Sequence, residues 1–79
     1  MTTVSKARVD ILVFKTNLRL KKDLKKISVC IRNEPRIKMW NVDVSDIDKV
    51  LRIKSDNIRV NDIIKIIEQA GYQCEELPD

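Results

Sequence analysis

The two thiols of this chain, Cys30 and Cys74, are its natural candidates for soft-metal or redox chemistry. They lie far apart, so no Cys-x-x-Cys pair exists, and without histidine a four-ligand zinc site would need carboxylates. The absence of histidine also excludes a Ser-His-Asp relay. The single glycine, Gly71, excludes a Gly-rich phosphate loop. Cys74 precedes Glu75 and Glu76, but neighbouring strand residues point to opposite faces, so Cys74 and Glu75 cannot converge on one ion. Cys74 is expected in the core and Cys30 in partly buried packing. Asp43, Asp46 and Asp48 cluster as carboxylates can in a calcium or acid–base site. No glycine or spaced glutamate completes a calcium loop, so they are expected to shape a turn. No catalytic residue, resident metal or cofactor is expected, and the chain is not expected to be an enzyme.

The cations carry more information. Residues 1–38 hold eleven Lys/Arg against three Asp/Glu, a net of +8; residues 39–79 hold five against nine, a net of −4. Lys21, Lys22, Lys25 and Lys26 repeat at helical spacing, and Lys15, Arg19 and Arg32 extend the group. Solvation accounts for such a face, because the outer side of any amphipathic helix must be polar. The sharper reading is a docking face for an acidic protein partner. Weak nucleic-acid binding through the same helix is an alternative. Only Phe14, Trp40 and Tyr72 are available for base stacking, so nucleic acid is not the expected partner. Trp40 suits either a structural cover for an edge strand or a partner anchor.

These residues need elements to position them. Arg8 to Phe14 is rich in β-branched and aromatic residues and apolar on both faces, as a central strand is. Thr16-Asn17 is expected to cap a helix from Leu18 to about Asn33, with Leu20, Leu24, Ile27 and Ile31 on its core side. Pro35 ends it. Ile37 to Val44 and Lys49 to Lys54 read as a hairpin, with Leu51 and Ile53 facing inward. Val60 to Ala70 repeats Val60, Ile63, Ile64 and Ile67 on one face; Asn61 or the preceding loop is expected to cap it and Gly71 to end it. Tyr72 to Leu77 is a short last strand. Residues 1–7 are expected to be a flexible tail and 8–79 a single domain. No stretch is apolar enough to cross a membrane, and no apolar run follows Met1, so a reducing cytoplasm is expected.

The order βαββαβ predicts an α+β fold. It is a two-layer ferredoxin-like sandwich: a four-stranded antiparallel sheet, strands one and three central, with two helices on one face. Leu12, Phe14 and Val50 are expected on the uncovered face, where an apolar strip would allow partner contact or a homodimer. Thr16-Asn17 after a strand, Asn41-Val-Asp-Val44, and Ile63 through Ala70-Gly71-Tyr72 resemble the heavy-metal-associated domain of copper chaperones and metal-pumping ATPases, over about residues 8–77. The resemblance implies a Met-Thr-Cys-x-x-Cys loop. Here Lys15-Thr16 stand at its Met-Thr, and Asn17 and Leu20 at its cysteines, one expected as a cap and the other as core. The expected function is therefore a protein-interaction module of metal-chaperone shape without its metal site. The alternative is residual copper or zinc binding by Cys30 or Cys74.

Overall fold

Alternation and helical periodicity lay down six elements, which the computed structural model describes across residues 9–77. They are β1 (Val9–Thr16), α1 (Lys21–Arg32), β2 (Ile37–Asp43), β3 (Val50–Asp56), α2 (Val60–Gln69) and β4 (Cys74–Glu76). The sheet order is β2-β3-β1-β4 with every pair antiparallel, the expected ferredoxin-like arrangement. The tail expected over residues 1–7 lies outside the described residues.

Register decides which face of β1 meets the helices. Leu12 lies opposite Ile53, and Phe14 opposite Leu51. Cross-strand partners share a face, so all four point the same way. Phe14, Leu51 and Ile53 are fully buried against Ile27 and Ile31 of α1 and Ile63 and Ile67 of α2, with Leu12 packed on their edge. This overturns the expectation that Leu12 and Phe14 lie on the uncovered face. A strand apolar on both sides does not declare its inner side by alternation alone; its pairing partner does. Val50 alternates with Leu51 and so lies on the uncovered side, but it is only 6% exposed and offers little contact surface. Ile11, opposite Lys54, presents apolar surface there, at 67% exposure.

The helix ends are set by acids and by Gly71. α1 begins at Lys21 with Leu20 as its N-cap, three residues later than the spacing predicts. Leu18 is drawn into the core instead of opening the helix. Asp23, in the third helical position, reaches back to the Leu20 N–H (2.9 Å). α2 repeats the device: Arg59 is its N-cap, and its N–H donates to Asp62 (3.2 Å). Each carboxylate satisfies an orphan helix donor and favours the positive helix end. At the other end of α2, Gly71 has φ +97°. Its N–H donates to the Glu68 carbonyl, and that of Tyr72 to Ile67, the paired bonds of a glycine-ended helix. An added Cβ at Gly71 would meet nothing within 4 Å, so backbone conformation alone requires glycine there.

One core residue breaks the apolar rule. Ser55 on β3 is fully buried, and its hydroxyl finds no partner among the described residues. A buried donor without an acceptor costs about 1–3 kcal/mol. Ser55→Ala is therefore expected to be neutral or to stabilise the fold by about 1 kcal/mol, whereas Phe14→Ala is expected to cost about 3–5 kcal/mol. Urea unfolding of both variants checks the pair; strong destabilisation by Ser55→Ala would contradict the account.

Candidate functional site

Three connections meet at one end of the sheet, and Thr16 starts the junction. Its N–H donates to the Asp48 carbonyl (3.0 Å). Its hydroxyl donates to the Lys49 carbonyl (2.6 Å) and accepts from the Leu18 N–H (3.2 Å). Residues 44–49, between β2 and β3, are thereby tied to the start of the β1–α1 loop. Asn17 ties in the third connection: its Oδ1 accepts from the Gln73 N–H (2.9 Å).

Asp23 closes the loop from the helix side. Its Oδ2 accepts from the N–H groups of Arg19 (3.1 Å) and Leu20 (2.9 Å). Its Oδ1 accepts from the Tyr72 hydroxyl (2.7 Å), which the turn at Gly71 brings back across α1. The carboxyl is held below its ordinary value of 3.8, first by the Leu20 N–H and then by the Tyr72 hydroxyl, against the opposing effect of burial. The same bond, aided by burial, pushes the Tyr72 phenol up. The Lys26 ammonium lies 5.6 Å from the Tyr72 ring centroid, within cation–π range.

This geometry corrects two expectations. Asn17 does not cap α1; it binds the chain ahead of β4. Leu20 is not core; it is the N-cap and 48% exposed, while Leu18 fills the interior. The β1–α1 loop offers no thiolate, and the Asp23 carboxylate beside it already accepts three hydrogen bonds. The residues present do not fit such an ion.

The thiols lie elsewhere. Cys30 and Cys74 are both free. Cys30, half-buried on α1, lines a hollow of about 280 Å³ with Asn33, Glu34, Ile66 and Gln69. Cys74 packs in the core, where burial and then the charge of Glu68 push its thiol up to about 12. Among the described residues, no three His, Cys, Asp or Glu side chains gather as metal ligands. The hairpin carboxylates make turns. Asp43 accepts from the Ser45 N–H (3.1 Å) and hydroxyl (2.6 Å), and Asp46 from the Asp48 N–H (2.8 Å). The hydroxyl, then the amide, of Ser45 lowers the Asp43 pKa.

The cations remain. Lys21, Lys22, Lys25, Lys26 and Arg32 are exposed on α1, and Arg19 is exposed just before it. At helical spacing the five on α1 span an arc of about 140°, with Val29, 56% exposed, inside it. None has a carboxylate within 4.0 Å among the described residues; Lys15, by contrast, lies 3.8 Å from Asp48. Trp40, opposite Ile53 on β2, is half-buried against the core edge and also lines a cleft beside α1. Sequence reasoning passed over two contributors. Asp23 carries a signal in its place three residues after Leu20. Lys38, exposed on β2, carries none, because only the fold brings it near Arg32.

No protein-family model matches the sequence, and no curated protein matches it. Solved structures share its fold. A copper transporter domain from yeast, solved in apo and Cu(I)-loaded states, superposes with a TM-score of 0.74 at 18% identity, covering 87% of this chain and 96% of that one. The Cu(I)-loaded first domain of the human copper chaperone for SOD1 gives 0.73 at 10% identity, over 87% and 93%. The N-terminal domain of PacS from Synechocystis gives 0.71 at 14%, over 87% and 98%.

Two outcomes follow from this geometry. Because the folded pKa of Asp23 lies below 3.8, its contribution is complete above that pH and is lost as pH falls through the folded value. Glu34 and Asp43 are depressed too, so the comparison with Tyr72→Phe isolates Asp23. That variant is expected to move the acid-unfolding midpoint to higher pH, measured by thermal melts from about pH 2 to 6. Secondly, a thiol reagent at neutral pH is expected to label Cys30 in the native protein and Cys74 only after unfolding, read by peptide mass analysis.

Proposed function

We propose that this chain is a small non-enzymatic interaction module that docks an acidic protein partner through the exposed cations of α1. The observation that supports this most is that Lys21, Lys22, Lys25, Lys26 and Arg32 crowd one helix without a carboxylate partner among the described residues. Lys21 and Lys22 occupy the first turn, where the helix dipole disfavours cations. Local stability would favour acids there, and Asp23 is the one acid in that turn. A positive field kept at a stability cost suits electrostatic capture of an acidic surface. Two free thiols fit a reducing, cytoplasmic setting.

A second reading comes from the fold, which copper-carrying domains share. On that reading Cys30 takes part in soft-metal binding or transfer, most simply across two copies, since burial holds Cys74 protonated. Titration with Cu(I) under reducing conditions separates the two. Binding that disappears in Cys30→Ser supports metal handling; equal uptake by both proteins removes it.

The primary test is charge reversal. Changing Lys21, Lys22, Lys25 and Lys26 to Glu is expected to slow association with the acidic partner about tenfold or more at low salt. Reversing Arg52 and Lys54, on the uncovered face of the sheet, and Lys65, on α2, is expected to leave it nearly unchanged. Association kinetics at two salt concentrations measure this, and equal losses in both variants would refute the helix face.

A further inference from the structure

Resting on the cationic face just proposed, we infer that the partner's contact segment is an extended acidic peptide whose apolar side chain seats against Trp40, in the cleft between α1 and β2. The cleft consists of two adjoining hollows. One, of about 550 Å³, is lined by Lys21, Lys22, Leu24, Lys25, Ser28 and Trp40. The other, of about 340 Å³, shares Ser28 and Trp40 and runs on past Ile37 to Arg32 and Lys38. Leu24 and Trp40 give the first hollow an apolar floor, and both are only half-buried, so each keeps surface to offer. The rim is cationic at both ends: Lys21, Lys22 and Lys25 at one, Arg32 and Lys38 at the other. Glu34 is the acid on that rim, and Arg36 already binds it through two contacts of 2.9 and 3.0 Å.

Charge complementarity therefore selects an anionic occupant, and the floor selects one with an apolar anchor. The span fits a short extended peptide. The twelve residues of α1 run about 18 Å, which five or six extended residues match at about 3.3 Å each. Acids at both ends of such a segment meet cations while its middle residue meets Trp40.

The experiment uses two synthetic hexapeptides, Asp-Glu-Glu-Leu-Asp-Glu and the same peptide with Ser in place of Leu, both end-blocked. Trp40 is the sole tryptophan, so its emission reports on the cleft directly. The Leu peptide is expected to bind about tenfold tighter than the Ser peptide and to shift Trp40 emission; that ratio is about 1.4 kcal/mol. Ser28→Phe fills the cleft without changing charge. It is expected to abolish the tenfold difference between the two peptides. Equal binding of the two peptides without a Trp40 response overturns this inference and leaves the cationic face standing. Binding of neither, at low salt, overturns both. Tighter binding of an oligodeoxythymidylate of equal charge overturns the peptide in favour of nucleic acid. If Ser28→Phe does not fold, the peptide pair and Trp40 emission on the unaltered protein decide.

Discussion

The carboxylate of Asp23 holds this end of the molecule together. Two backbone N–H groups and one phenol converge on it, from the β1–α1 loop and from the chain entering β4. Without it, Arg19 and Leu20 would present two orphan donors at the helix start. With it, α1 begins at Lys21, Leu18 turns inward and Tyr72 is drawn across the helix. The turn at Gly71 makes that reach possible, because a left-handed residue there redirects the chain from α2 toward α1. Thr16, donating to the Lys49 carbonyl, and Asn17, accepting from the Gln73 N–H, then tie the remaining connections to the same junction.

That junction also separates shape from chemistry. The fold is shared with domains solved carrying copper, at 10–18% identity. In this chain the corresponding loop spends its polar groups on its own closure. Asn17 binds a backbone amide, Asp23 accepts three donors, and Leu20 shows its side chain to solvent. Among the described residues, the positive charge on the adjoining helix has no carboxylate partner. Salt screens such charge when it is exposed, so it adds little to stability.

Much of the architecture was legible in the sequence because each element carries its own period. β1 is apolar on both faces, α2 repeats Val60, Ile63, Ile64 and Ile67, and Gly71 stands where a helix must end. The order βαββαβ then admits few topologies. What failed depended on contacts distant in sequence. The inner face of β1 follows from its register with β3, so local pattern alone puts Leu12 and Phe14 on the wrong side. The start of α1 depends on Asp23 outcompeting Thr16 and Asn17 as a cap, and Tyr72, on a distant connection, reinforces that choice. The lysine arc could be seen at helical spacing; the cleft it borders could not, because Lys38 and Trp40 reach it only through β2.

Amide hydrogen exchange at Arg19 and Leu20, followed by NMR, tests the closed loop most directly. Both amides donate to one carboxylate, so they are expected to exchange far more slowly than an open loop allows and to lose that protection in Asp23→Ala while the core amides of β1 and β3 keep theirs. Exchange at open-loop rates in the unaltered protein would contradict the account, because the loop would then be free to open around a ligand.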